Sequence, residues 1–218
     1  QKRRKGVPQG SPISPILSNI LLNELDKKLT DWKKNFVRYA DDFSIYCRRK
    51  SEATALMRAI SKYLNTKLQL IVNKEKSSVR KPTQFIILGF GFASTFQKGK
   101  YQLVVSEKAV KRLKMRLKWA TRKTLPMTFD ERIAKIHEIQ RGWLVYFRGA
   151  SIKSLLSSLD GWLRNRLRYC IWKQWKRPER RRKNFLRLGV KPDDAYAWSR
   201  SRSGGWAIAQ SPIMTTTI

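Results

Sequence analysis

The sequence predicts an α+β protein. Residues 1–105 read as helices on small antiparallel sheets, residues 106–176 as an all-α bundle, and residues 177–218 as a basic C-terminal segment. Three observations carry this division. Short β-prone runs alternate with helical patterns up to about residue 105. Beyond it, apolar residues recur only at helical spacing. From about Arg177 the chain becomes a basic stretch containing Ser, Gly and Pro, which reads as a tail.

Taken in order, Ser14-Pro15 starts a helix, with Ser14 as the N-cap and a proline whose missing N–H is harmless in the first turn. Ile16, Leu17, Ile20, Leu21, Leu25 and Leu29 then line one face, with Glu24 the polar exception. Phe36–Tyr39 and Phe43–Tyr46 flank Ala40-Asp41-Asp42, a hairpin pattern whose turn chemistry comes from the aspartates. An amphipathic helix follows over Ser51–Leu64, then strands over Leu68–Val72 and Phe85–Phe92. Three helical stripes complete the pattern: Val110 to Ala120, Ile133 to Phe147, and Leu156 to Cys170. The short breaks at Pro126 and Gly149–Ser151 imply antiparallel packing. Asp193-Asp194 reads as a helix start or turn.

Composition restricts the partners. With 48 Lys plus Arg against 15 Asp plus Glu, the formal charge is +33, while 41% hydrophobic and 11% aromatic residues suffice for a core. Such an excess calls for a polyanion, and nucleic acid binding of this kind weakens steeply with salt. No apolar run approaches the ~20 residues of a spanning helix, and no signal-peptide pattern is present, so no membrane partner is expected. Cys47 and Cys170 are isolated and His137 is the only histidine, which fits a reducing compartment and excludes a zinc finger built from this sequence. Any chemistry must come from carboxylates.

Tyr39-Ala40-Asp41-Asp42 is the sharpest local signal. Alone, an Asp-Asp turn is most often simply solvated, but it also suits one carboxylate on Mg²⁺ with the second in support. Its surroundings add specificity: Gln9-Gly10-Ser11-Pro12 leads into the first helix, Leu70–Ser77 follows the hairpin, and Phe85–Phe90 comes next. This ordered series resembles the later palm motifs of reverse transcriptases across residues 1–105. Arg141-Gly142-Trp143 with Tyr146-Phe147, then Leu159-Asp160-Gly161-Trp162-Leu163-Arg164, looks like the maturase-specific domain X of group II intron-encoded proteins. Leu188-Gly189 and Gly204–Ala209 resemble the stretch that follows that domain. The expected architecture is therefore a partial polymerase palm, then a thumb/maturase bundle.

The resemblance implies RNA-directed DNA synthesis by two Mg²⁺ ions together with maturase activity. Asp41 would be a metal ligand, Asp42 would assist, and Lys76 would stand near the leaving pyrophosphate. Tyr39 would pack by the primer end, Gln9 and Gly10 near the templating or incoming nucleotide, and Gly89 and Phe90 in the primer grip. RNA contacts would come from Lys111, Arg112, Lys114, Lys118, Arg164, Arg166, Arg168 and Lys173, with Arg180, Arg181, Arg182 and Lys183 beyond. The implied partners are group II intron RNA, an RNA template with a DNA primer, and deoxynucleoside triphosphates, in a bacterial cytoplasmic or organellar ribonucleoprotein. One departure matters: the family's earlier palm aspartate and its fingers have no match here. The sequence starts without Met just before the first matching motif. The expectation is a fragment that needs an upstream fingers/palm segment and lacks polymerase activity alone. A non-catalytic RNA-binding splicing factor is the alternative, and an unrelated ribosome-associated protein is a weaker rival.

Overall fold

Leucine spacing determines how the first packing unit, which ends at Lys81, closes around its core. The computed structural model describes residues 11–97 and 99–218. Helix α1 (Ser14–Asp31) and helix α2 (Lys50–Thr66) face each other through Leu22, Leu25 and Leu29 on one side and Leu56, Ile60 and Leu64 on the other. Between them in sequence, β1 (Asn35–Tyr39) and β2 (Asp42–Tyr46) form an antiparallel hairpin whose Phe36, Phe43 and Ile45 cover that core. Three expectations change here. Ile13, not Ser14, stands at the cap position, and the helix takes Ser14 into its first turn ahead of Pro15. Ile16, Leu17, Ile20 and Leu21 are exposed, because the core meets only the C-terminal half of α1, on a face set by Leu22. Leu68–Val72 is no strand: Leu68, Leu70 and Val72 pack inward and Ile71 is 93% exposed, an alternating segment that pairs with no strand among the described residues.

The second unit, Pro82–Ile218, holds a three-stranded antiparallel sheet in the order β3 (Ile86–Ile87), β4 (Phe90–Ser94), β5 (Tyr101–Val105). The single strand expected over Phe85–Phe92 is thus a hairpin. Leu88 and Gly89 both take positive φ, 52° and 84°, and turn the chain between Ile87 and Phe90.

Three long helices follow. Helix α3 (Glu107–Ala120) is capped by the Ser106 hydroxyl, and α4 (Phe129–Phe147) by a reciprocal box of Thr128 and Glu131. With α5 (Lys153–Gln174) they enclose Leu113, Leu117, Ile136, Ile139, Leu159 and Leu163. The C-terminus of α3 gathers donors from its neighbours. Arg132 of α4, 1% exposed, donates to the carbonyls of Ala120 and Arg122. Arg166 of α5 donates to the Thr121 hydroxyl at 2.6 Å and the Lys118 carbonyl at 3.2 Å, and the Cys170 thiol donates to the Thr121 carbonyl at 3.1 Å. Carbonyls at a helix C-terminus carry partial negative charge, so guanidinium groups suit them.

The segment from Arg177 onward is folded and is not a tail. It forms α6 (Pro178–Arg187), α7 (Pro192–Ser199), α8 (Gly205–Gln210) and α9 (Pro212–Thr215), around Trp172, Phe185, Ala195, Ile208 and Met214. Prolines start three of these helices, where a missing N–H costs nothing. Gly189, at φ 84°, ends α6: its N–H reaches the Leu186 carbonyl and that of Val190 the Phe185 carbonyl. Asp193 and Asp194 lie in the first turn of α7, as read from the sequence. Among the described residues no helix is long and apolar enough to cross a membrane.

Candidate functional site

The register of the first hairpin, from Asn35 opposite Tyr46 to Tyr39 opposite Asp42, leaves Ala40 and Asp41 as its whole loop. Such tight loops need positive φ, normally supplied by glycine. Here Ala40 takes φ 54°, which puts a Cβ into the left-handed region at a cost of roughly 1–2 kcal/mol. Arg38 offsets this. Its Nη1 donates to the Ala40 carbonyl at 2.9 Å and to the Asn19 side chain at 2.9 Å. Its Nε and Nη2 hold the Asp26 carboxylate at 2.6 to 3.0 Å. The pair is shielded, at 14% exposure for Arg38 and 25% for Asp26. The Asp26 hydrogen bond raises the Arg38 pKa above its ordinary value, against the opposing cost of burial. One guanidinium therefore ties the turn to α1.

At this tip Tyr39, Asp41 and Asp42 stand together and exposed. No lysine or arginine of the described residues forms an ion pair with either aspartate. Carboxylate oxygens are hard donors of the kind Mg²⁺ takes. No further His, Cys, Asp or Glu joins them in a cluster of three among the described residues.

The other residues singled out from the sequence belong to different segments of the chain. Gln9 and Gly10 fall outside the described residues. Lys76 is exposed on a turn nucleated by Asn73, whose side-chain oxygen accepts from the N–H groups of Glu75 and Lys76 at 3.0 and 3.2 Å. Gly89 and Phe90 belong to the second unit. The Phe90 ring stacks on Tyr146 and tilts against Phe147, and the Tyr146 hydroxyl donates to the Leu88 carbonyl at 3.0 Å. A Cβ on Gly89 would meet the Phe147 ring at 3.2 Å. The Tyr146-Phe147 pair on α4 thus buttresses the β3–β4 turn.

The basic residues divide by what they already hold. Lys111, Arg112, Lys114 and Lys118 are exposed along α3, and Lys111 pairs with Glu107 at 3.6 Å. On α5, Arg164 pairs with Asp160 at 2.8 Å, Lys173 lies over the Tyr169 ring, and Arg168 donates to the Ile218 carbonyl. Burial lowers the pKa of Arg166, which is engaged at the end of α3. On α6, Arg180, Arg182 and Lys183 are exposed, whereas Arg181 turns inward. Its guanidinium lies 3.9 Å over Trp172 and donates to the Trp175 carbonyl, and burial lowers its pKa. Arg181 serves the fold. Lys111, Lys114, Lys118 and Arg166 come together around one groove that also includes Trp162 and Trp206. Sequence reasoning missed Arg38, although a cation two residues after Phe36 on a strand, hence on its inward face, signals a buried partner. It also passed over the two groove tryptophans as site residues.

Two comparisons with known proteins bear on these two regions. Residues 1–92 match the family described as reverse transcriptase (RNA-dependent DNA polymerase), and residues 110–189 match the group II intron maturase-specific domain. A curated relative, Protein YkfC of Escherichia coli (strain K12), is 30% identical over 39% of this chain and 32% of its own length. The match thus spans about a third of that relative's length.

Proposed function

This chain belongs to the family of group II intron-encoded reverse transcriptase/maturases, and on that premise we propose that its first unit supplies paired carboxylates to a two-metal nucleotidyl-transfer site while its second unit holds intron RNA. The observation that carries the reading is the exposed Asp41-Asp42 tip, free of internal ion pairs among the described residues and fixed by Arg38. When bound there, Mg²⁺ would activate a primer 3′-hydroxyl and stabilise the leaving pyrophosphate. Asp41 would be the ligand, Asp42 would assist, and Tyr39 would pack by the primer end. Lys76 is the cation for the pyrophosphate. By the resemblance, Gln9 and Gly10 would serve the nucleotide, and Gly89 and Phe90 the primer. A pair of carboxylates is too small a donor set for two octahedral ions, so a two-metal site would need a further carboxylate beside it.

RNA holding needs no metal. The exposed cations of α3, α5 and α6 track phosphates, and splicing is supported by stabilising the folded intron. In the whole protein, Asp41→Asn with Asp42→Asn abolishes primer extension on an RNA template while leaving intron binding intact. This chain alone binds intron RNA in a filter assay, with affinity falling steeply across a salt series. Primer extension that survives both substitutions would refute the polymerase half, and salt-independent binding the RNA half. If both substitutions spare splicing and the unsubstituted whole protein makes no DNA, the non-catalytic splicing-factor reading replaces ours.

A further inference from the structure

We propose that the groove between α3, α5 and α8 is a socket for an unpaired nucleobase and its flanking phosphates, an inference that rests on the RNA-holding reading above and makes it specific. The groove has a volume of about 540 Å³ and is open to solvent. Its cations are Lys111, Lys114 and Lys118 of α3 and Arg166 of α5; the rest of its lining is Met115, Trp162 and Trp206. Among the described residues no carboxylate lines it, although Glu107 stands 3.6 Å from Lys111. A ligand must therefore be anionic at its edge and flat and apolar in its body, and a nucleotide within single-stranded RNA meets both demands.

The aromatic groups are held for this task. Lys114 Nζ and the Arg166 guanidinium lie 6.0 and 5.4 Å from the centre of the Trp162 ring, so that indole backs the cations. Arg166 is fixed by its bonds to the end of α3, which leaves its charge in place whether or not a ligand is present. Trp206, 41% exposed, and Met115, 62% exposed, offer apolar surface to solvent. Gly205 explains why Trp206 reaches the groove. A Cβ there would meet Lys173 Cε at 3.0 Å, Trp172 Cδ1 at 3.1 Å and Tyr169 Cε2 at 3.2 Å, so a larger residue would seat α8 this closely on α5 only if those side chains gave way. The Trp206 ring then rests edge-on to Tyr169 with centroids 6.0 Å apart.

The test compares two polyanions on the intact chain: a short oligoadenylate carrying 2-aminopurine, and inorganic polyphosphate of equal charge. One stacked base contributes a roughly 5- to 150-fold gain in affinity. The oligoadenylate is expected to bind tighter by a factor in that range and to show quenched 2-aminopurine emission. Trp206→Leu removes both the gain and the quench and leaves polyphosphate binding and the salt slope unchanged, while Trp206→Phe retains most of the gain. Lys114→Gln weakens both polyanions and lowers the salt slope by about 0.7. Equal affinity for the two polyanions, which requires no variant to measure, would overturn the proposal. So would a quench that persists in Trp206→Leu, tighter binding of blunt duplex RNA that ignores Trp206, or displacement of the oligoadenylate by an acidic aromatic peptide at equal concentration. Failure of the wider RNA-holding reading looks different: neither polyanion binds.

Discussion

Replacing Arg38 by Met keeps the stem of the side chain and removes the guanidinium that joins α1 to the aspartate turn. Its pair with Asp26 lies between the exposed and buried limits, at 14% and 25% exposure. Exposed pairs contribute about 0–1 kcal/mol, and breaking a buried one costs about 3–5 kcal/mol. A bidentate pair at this depth is therefore assigned about 2 kcal/mol. The bond to the Ala40 carbonyl adds about 1 kcal/mol. Arg38→Met should then lower the stability of the first unit by about 3 kcal/mol, with the largest loss of protection in the hairpin, where Ala40 keeps its left-handed strain without an anchor. Hydrogen exchange read by mass spectrometry resolves this, because it follows Phe36–Tyr46 separately from the second unit. The decisive comparison adds Asp26→Asn and the double variant: a coupling of about 2 kcal/mol is expected. If the single effects add to within about 0.5 kcal/mol, the two residues act independently and the anchoring argument is wrong.

Three further outcomes are expected. Arg132→Met should destabilise the second unit by about 2–4 kcal/mol in thermal unfolding, because the carbonyls of Ala120 and Arg122 lose a charged donor inside the core. Gly89→Ala should cost about 2–4 kcal/mol, combining left-handed strain with a 3.2 Å approach to a Phe147 ring already packed by Phe90, Trp143 and Tyr146; near-UV circular dichroism should register the displaced ring. Lys34 holds the Glu52 carboxyl below its ordinary pKa through a 2.7 Å hydrogen bond. The resulting stability is present above the usual Glu value near pH ~4.3 and fades as pH falls through it toward the lower folded value. Melts across that window should be less steep in pH for Glu52→Gln.

Much of this was legible in the sequence because single faces decide single elements. Leu113, Leu117, Leu159 and Leu163 define their helices unaided, and Asp41-Asp42 between two β-prone runs fixes the hairpin. The failures share a cause: the deciding contact comes from elsewhere in the chain. Leu68–Val72 alternates like a strand, but pairing depends on a neighbour that the segment cannot reveal. The break at Leu88–Gly89 reflects two left-handed residues and a docking tyrosine 58 positions away. The C-terminal helices looked like a solvated tail because their core is a sparse set of large residues, Phe185, Trp198, Ile208 and Met214, diluted by arginines. At the candidate site the aspartates were read directly. Arg38 was not, since its role depends on Asp26 and Asn19 one helix earlier.

The donors collected at the end of α3 separate two responses to ionic strength. Arg132, 1% exposed, meets peptide carbonyls there instead of acidic side chains, so α3 and α4 are joined by short-range charge–dipole contacts shielded from mobile ions. Added electrolyte should leave that junction intact and, by quieting repulsion among the many surface cations, favour the compact state. The same electrolyte strips polyanions from the outer face. A high-salt wash should therefore release a bound transcript and leave behind a folded protein ready to rebind.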